Sequence, residues 1–307
     1  MKKVLVLMST YNGEKFLGDQ LDSILSQKGV DVTIRIRDDG SKDSTRSIAK
    51  SYQRDNSNIE LIEGENLGFA QSFLSLIYSV DIPSMYDYFA FADQDDVWLE
   101  DKLLSAVTML DECDNAKRPN LYFSNALAVD EALQPLFKTT PDKPLISKPT
   151  CLVRYFMLGC TMVFNPSVVN CLKTYKPEGK ITMHDLWLNQ TCVFLGQVIY
   201  DKEPHILYRQ HGNNTAGVGS SWSIRWKRLL KSFRSYERRH FREINAKNLL
   251  SAYGTILPKE DYELISLVAD YRSSIRNRMR LFFDKKINMG SLVSDVAVKI
   301  RVLLGLF

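Results

Sequence analysis

The chain has 307 residues, 45% apolar and 25% charged, the balance of an ordinary globular protein long enough to bury a large core. No stretch is apolar over the roughly 20 residues that a bilayer span needs, and Met1–Met8 reads as a buried strand rather than a signal peptide, since polar Ser9-Thr10 follow with no small-residue cleavage site. Net charge is +4, but residues 1–219 carry 22 Lys/Arg against 28 Asp/Glu (−6), whereas residues 220–307 carry 18 against 8 (+10).

A reversal of this size predicts two parts with different partners: an α/β domain over 1–219 and a basic helical region over 220–307. The basic part could meet anionic lipid, a phosphate-bearing acceptor or nucleic acid, although no nucleic-acid recognition motif accompanies it. The five cysteines are odd in number and contain no Cys-x-x-Cys pair. That argues against a disulfide framework or zinc site and fits a reducing compartment.

In chain order, Val4–Met8 is short, apolar and β-rich, the pattern of a strand buried on both faces. After the loop Ser9–Gly13, Leu17, Leu21, Ile24 and Leu25 fall on one helical face. Val32–Ile36 reads as a second strand running into Asp38-Asp39-Gly40-Ser41, and Asp43 or Ser44 can cap the helix that follows. Ile59–Ile62 is a third strand, Phe69, Phe73, Leu76 and Ile77 mark a third helix, and Tyr88–Ala92 is a fourth strand ending at Asp93-Gln94-Asp95-Asp96. Further on, Tyr122–Val129, Thr161–Phe164, Val198–Tyr200 and Ile206–Arg209 read as strands and Asp185–Leu195 as a helix. Strand–helix alternation predicts a mostly parallel sheet sandwiched by helices, with ligands bound beyond the strands' carboxyl ends. The polar clusters sit at those ends.

Two carboxylates one residue apart, Asp93 and Asp95, can share a divalent cation whose shell is completed by diphosphate oxygens. Asp38-Asp39 is either a capped turn, with Gly40 supplying a positive φ, or an acceptor for a base N–H or a ribose hydroxyl. His184-Asp185 is either an N-cap beside a surface histidine or a pocket general base. His211, in a polar loop, is a candidate third metal ligand beside the Asp-x-Asp element.

Taken in order, several stretches resemble the family-2 glycosyltransferases of GT-A fold: Met8–Gly13, Ser23–Gln27, Arg37–Thr45, Asn66-Leu67-Gly68, Phe91–Trp98, Leu158–Met162, His184-Asp185 and Tyr208–Asn214. The resemblance implies a Rossmann-like α/β domain and a nucleotide pocket lined by Thr10, Tyr11, Glu14 and Asn66, with Asp39 on the base. It implies Mn²⁺ or Mg²⁺ held by Asp95, Asp93 and His211, and Asp185 as the base of a single inverting displacement. One departure is that the family often carries Glu-Asp where this chain has His184-Asp185. The Asp-Gln-Asp-Asp-x-Trp form, with His-Asp and Tyr-Arg-Gln-His-Gly-Asn-Asn, is most similar to bacterial rhamnosyltransferases of cell-wall or capsular polysaccharide assembly. These use dTDP-L-rhamnose, while related members use UDP-sugars. The implied partners are a nucleotide diphosphate sugar and a glycan or lipid-linked glycan acceptor, not nucleic acid, and the implied place is cytoplasmic, peripheral on the inner face of the cell membrane.

The basic region interleaves eight Lys/Arg of residues 225–242 with Trp222, Trp226, Leu229, Leu230 and Phe233, and Val293, Val296, Ala297, Ile300, Leu304 and Phe307 form a helical stripe near the end. These are either helices packed on the catalytic domain or an attachment to an anionic inner leaflet. A phosphohydrolase of haloacid-dehalogenase type shares Asp-x-Asp-x-Val, but on its first strand, where three strands precede it here. A nicotinamide oxidoreductase lacks its Gly-x-Gly-x-x-Gly. A non-catalytic nucleotide-sugar-binding module is the remaining class.

Overall fold

The computed structural model describes residues 1–113, 115–155, 157–211, 240–289 and 292–307. Its first half alternates β1 (Lys2–Thr10), α1 (Leu17–Leu25), β2 (Val30–Asp38), α2 (Thr45–Asp55), β3 (Ile59–Glu63), α3 (Phe69–Tyr78) and β4 (Tyr88–Ala92). β5 (Val97–Trp98), α4 (Lys102–Asp111), β6 (Asn120–Val129), β7 (Pro135–Lys138), the short α5 (Lys148–Cys151), β8 (Met162–Phe164), α6 (Pro166–Thr174), α7 (His184–Leu195) and β9 (Gln197–Arg209) follow. Helices α8 (Phe241–Tyr253), α9 (Lys259–Ala269), α10 (Ile275–Phe283) and α11 (Leu292–Leu303) close the chain.

The sheet runs β3-β2-β1-β4-β8-β6-β9-β5, with β7 beside β6. Its first four strands are parallel, with Thr10 opposite Asp38 and Met8 opposite Ala92. This register brings the carboxyl ends of β1, β2 and β4 level, so the loops after Thr10, Asp38 and Ala92 face one crevice. The chain leaves β1 on one side to form β2 and β3 and returns on the other as β4, the switch point where open α/β sheets bind ligands. Beyond β4 the pairing is mixed: β8 is antiparallel to β4 and β6, while β9 is parallel to β6 and antiparallel to β5.

Period-2 alternation divides β1 between two cores. Val4, Val6 and Met8 pack with Leu17, Leu21 and Ile24 of α1 and Leu103 and Ala106 of α4. Leu5 and Leu7 pack with Phe73, Leu76 and Ile77 of α3, and that core continues without a break through Trp187 and Leu188 of α7 to Leu249, Ile265, Leu281 and Val302 of the last four helices. The cysteines are all free, and Cys151, Cys160 and Cys192 are buried.

Three expectations change. Val198–Tyr200 and Ile206–Arg209 are one strand, β9, irregular where it passes Ser124–Leu127. Arg242, counted in the basic cluster, is half-buried and turns inward: its Nε donates to Val153 O at 2.7 Å and its guanidinium lies 5.1 Å from the Phe307 ring. In α11 the packed residues are Val298 and Val302, whereas Val296, Ala297, Ile300 and Leu304 of the anticipated stripe are exposed and Phe307 is buried. The remaining basic and aromatic cluster, Trp222 to Arg239, and the 219/220 boundary lie outside the described residues, as does the side chain of Val293.

Candidate active site

The loop after β1 is held by hydrogen bonds that only its neighbours can supply. The Tyr11 N–H donates to Gln94 Oε1 at 2.8 Å and its carbonyl accepts from Gln94 Nε2 at 3.1 Å, so the middle residue of Asp93-Gln94-Asp95 ties the ends of β1 and β4 together. A Cβ at Gly13 would lie 2.2 Å from Gln94 Oε1, which leaves room only for glycine while that side chain stays in place. Thr10 is buried and donates to Asp38 Oδ2 at 3.3 Å, while Tyr11 is exposed at the crevice. Glu14 accepts from the Ser44 N–H at 2.9 Å, so its carboxylate fastens the loop before α2. That helix is capped by Asp43, whose Oδ1 accepts from the Thr45 N–H at 3.0 Å, rather than by Ser44.

The two acids after β2 have different surroundings. Burial acts on Asp38 upward, but hydrogen bonds from Arg46 and Ser41 hold its carboxyl below the usual range. Asp39 is buried, pairs with the Arg37 guanidinium, and accepts from the Leu67 and Gly68 N–H groups at 2.8 and 2.9 Å. It therefore shapes the Asn66–Gly68 turn, in which Asn66 Oδ1 accepts from the Gly68 N–H at 3.1 Å and Gly68 takes φ +79°.

Beyond β4 the acids sort by depth. Asp95 reaches His211, with Oδ2 2.8 Å from Nε2. Asp93 turns toward buried Asp96 and Cys160, whose ligand atoms gather within 4.8 Å of one another. Loss of water, then the negative charges of Asp95 and Asp185, push Asp93 up. Burial and the same kind of repulsion push Asp96 up, and the Cys160 thiol stays protonated. Beneath them the Lys102 ammonium lies 3.4 Å from the Trp98 ring centroid, and burial pushes its pKa down to about 7. Asp93 thus stands among like charges that a divalent cation would relieve. Asp95 and His211, one carboxylate and one imidazole 2.8 Å apart at the mouth, are donors of the kind that suit Mn²⁺ and, less closely, Mg²⁺, whereas Asp93, the third expected ligand, groups with Asp96 and Cys160 instead.

Asp185 occupies the first turn of α7, where the helix N-terminus favours an anion. Its Oδ1 accepts from the Leu186 N–H at 2.8 Å, and Oδ2 accepts from the Tyr155 hydroxyl. Burial pushes its pKa up to about 7 against those backbone bonds. His184 is not the surface histidine of the simpler alternative. Its ring stacks on Phe73 at 4.0 Å between centroids with Phe91 edge-on at 5.0 Å, and burial drives its pKa down to about 3, so it is neutral. Both residues lean on Gly159, where a Cβ would come 3.1 Å from His184 Nε2 and 3.3 Å from Asp185 Cβ. The 3-10 turn Gly159–Thr161 therefore links Asp185 to the acid cluster, because its next residue is Cys160.

Residues 5–157 match the model of glycosyl transferase family 2. Over 237 residues, 72% of this chain and 78% of the relative, the chain is 34% identical to the dTDP-rhamnosyl transferase RfbG of Shigella flexneri. The chain belongs to glycosyltransferase family 2. A glycosyltransferase of Rickettsia typhi, RT0329, is 25% identical over 246 residues, 76% of this chain and 73% of that one. The crystal structure of S. aureus TarS 1-349 in complex with UDP-GlcNAc superposes with a TM-score of 0.60 at 14% identity, covering 98% of this chain and 81% of that one, and shows the GT-A fold. Family membership sets aside the phosphohydrolase alternative.

In this glycosyltransferase Asp93 lies within reach of the charges of Asp95 and Asp185, Asp95 meets His211 and Gln94 holds Tyr11, while Glu14, Asp39 and Asn66 are tied into the neighbouring loops. Three participants were not singled out from sequence. Tyr155 and Cys160 come from the stretch before and within the Gly159 turn. Arg209, next but one to His211, donates to Asp95 O at 3.0 Å, Glu131 O at 2.8 Å and Asp19 Oδ2 at 2.9 Å, with its guanidinium 4.5 Å from the Phe16 ring. Its place in Tyr208-Arg209-Gln210-His211 was the available signal.

Proposed function

We propose that this family-2 enzyme transfers L-rhamnose from dTDP-L-rhamnose, with inversion, to a hydroxyl of a lipid-linked bacterial polysaccharide precursor at the inner face of the cell membrane. The observation that carries the reading is Asp185, a buried carboxylate in the first turn of α7, near enough to Asp93 for their charges to repel. The donor sugar rests on the 34% identity to a protein named as a dTDP-rhamnosyl transferase.

In this reading residues 1–219 form the catalytic domain and 220–307 a basic, membrane-associating region whose described helices, α8 to α11, share its core. Thr10, Tyr11, Glu14, Asn66 and Asp39 shape the nucleotide pocket. Asp95 and His211, with Asp93, would hold Mn²⁺ or Mg²⁺, whose charge would offset that of the diphosphate. Asp185 takes the proton of the acceptor hydroxyl as that oxygen bonds to the anomeric carbon. The bond from that carbon to the diphosphate oxygen breaks, and its electron pair leaves with dTDP. A base with a pKa near the working pH is both ionised enough and basic enough for this proton transfer. The neutral His184 ring and its phenylalanines keep water from the inner side of Asp185.

Donor binding tests the reading by thermal shift with dTDP-rhamnose, UDP-glucose and UDP-galactose, each with and without Mn²⁺. A saturating ligand specific for the folded state raises the melting temperature by roughly 5 °C at this chain length. Stabilisation by dTDP-rhamnose that needs Mn²⁺ is the expected result. Stabilisation by a UDP-sugar instead assigns a UDP-hexose donor, and binding without turnover assigns a nucleotide-sugar-binding module.

A further inference from the structure

A surface helix normally pairs one apolar face with a polar one, but α11 does not. Val298 and Val302 on its inner side are buried in the core. On the opposite side Val296, Ile300, Leu303 and Leu304, at i, i+4, i+7 and i+8, are 48%, 51%, 43% and 64% exposed. A helical wheel places Lys299 and Arg301 on the two borders between these faces.

The stripe continues onto a basic neighbour. Helix α10 runs antiparallel to α11, with Arg278 Nη1 donating to Leu303 O at 3.4 Å and the Lys299 ammonium 5.8 Å from the Phe282 ring. It exposes Ile275 and Phe283 together with Arg276 and Arg280, and Lys285 and Lys286 follow it, also exposed. Residues 275–307 hold seven Lys/Arg and two Asp. Both acids are engaged locally, Asp284 accepting from the Lys286 N–H and Asp295 from the Met289 N–H.

We infer that the outer face of α11 is a docking surface for an anionic lipid bilayer, lying in the interface with its apolar stripe inserted and its basic border on the headgroups. Twelve residues span about 18 Å as a helix, too short to cross about 30 Å of hydrocarbon, and no described helix is long and apolar enough to do so. An amphipathic helix with a basic border is the form that binds in the plane of the interface. The same charge argues against a second copy of this chain as the occupant, because pairing the stripe with itself would set basic borders against each other. The inference extends the reading of a lipid-carried acceptor but rests on a surface outside the active-site crevice, so the two can fail separately.

The test is sedimentation of the full chain with vesicles of phosphatidylcholine alone and of phosphatidylcholine mixed with phosphatidylglycerol. Partition is expected to be at least about tenfold stronger on the anionic vesicles and to weaken with salt. The double variant Ile300→Asp, Leu304→Asp changes only exposed side chains and should lose at least about tenfold in partition, with its circular-dichroism melt unchanged. Lys285→Glu with Lys286→Glu should reduce the preference for anionic vesicles. Mn²⁺-dependent stabilisation by dTDP-rhamnose, read in the same samples, reports the donor site independently. Equal binding to both vesicles, or none, overturns the inference, as does a dimer in sedimentation equilibrium that Ile300→Asp, Leu304→Asp dissociates, which would assign the stripe to a second copy.

Discussion

At the scale of the residue, Asp185, the proposed base, should leave a signature in pH. Its carboxyl sits near 7 because burial disfavours the anion. The ionised form is the base, so kcat/KM of the wild type should fall below about pH 7 rather than below about pH 4. Asp185→Asn should lower kcat by roughly 10²–10⁴-fold, the usual worth of a general base, while dTDP-rhamnose still stabilises the chain. The same shift has a stability consequence of definite sign. Its folded pKa lies above the unfolded value near 4, so the stability this group contributes is present below about pH 4 and is lost as pH rises through about 7. Melts of wild type and Asp185→Asn at pH 5 and pH 8, without metal, should therefore show the variant gaining relative to wild type at the higher pH.

Asp39 supplies the contrasting residue. Removing its charge in Asp39→Asn leaves buried Arg37 without its ion-pair partner and disturbs the acceptors of the Leu67 and Gly68 N–H groups. The expected loss is about 3–5 kcal/mol, read as a lower denaturant midpoint with an unchanged slope. The acids themselves were legible in sequence because carboxylates clustered at strand ends are conspicuous. Their partners were not: Arg37 lies within β2, and Tyr155 and Cys160 reach the site only when the chain between β7 and β8 folds back across the sheet. His184 was misjudged in its simpler alternative because nothing adjacent in sequence announces Phe73 and Phe91, which enclose it.

At the scale of the element, two glycines separate catalysis from folding. A methyl at Gly159 meets His184 Nε2 at 3.1 Å and Asp185 Cβ at 3.3 Å, side-chain atoms that can shift by tenths of an ångström. Gly159→Ala should therefore displace the base, lowering kcat by about tenfold or more, with at most about 1–3 kcal/mol lost from the fold. A methyl at Gly196, where α7 hands over to β9, meets the Pro119 carbonyl oxygen at 1.8 Å. The obstructing atom is backbone and cannot swing away, so Gly196→Ala should lower the melting temperature strongly and reduce active yield rather than kcat per folded molecule.

Elements with a regular period were readable: β1 through its unbroken apolar run, α1 and α3 through their faces, and β4 in full. The failure at β9 has a local cause. Asp201-Lys202-Glu203-Pro204 interrupts the strand pattern with polar residues and a proline, yet the strand persists because it shifts register against β6 there and then gains β5 as a second partner. β5, two residues long, and β7, wholly exposed, carry too little pattern to be read alone.

At the scale of the molecule, the charge reversal between the two parts was read correctly as a count, but composition does not say which charges face water. Arg242 turns inward to Val153 and Phe307, while α11 presents apolar residues outward. The core that runs from β1 and β4 through α7 into the last four helices makes those helices the floor beneath Asp185, since Trp187 and Leu188, just after the base, belong to it. Truncation after residue 240 should therefore lower the melting temperature and abolish transfer together, measured by differential scanning fluorimetry and donor turnover.

The central claim is that Asp185 drives inverting transfer from dTDP-L-rhamnose. The most direct measurement is turnover by the purified chain with Mn²⁺, dTDP-L-rhamnose and a lipid-extracted acceptor pool, following dTDP release and the anomeric configuration of the product by NMR. The account predicts dTDP release that requires both acceptor and Mn²⁺, a product of inverted configuration, and loss of at least about a hundredfold in Asp185→Asn. A product of retained configuration, or full turnover in Asp185→Asn, would contradict it.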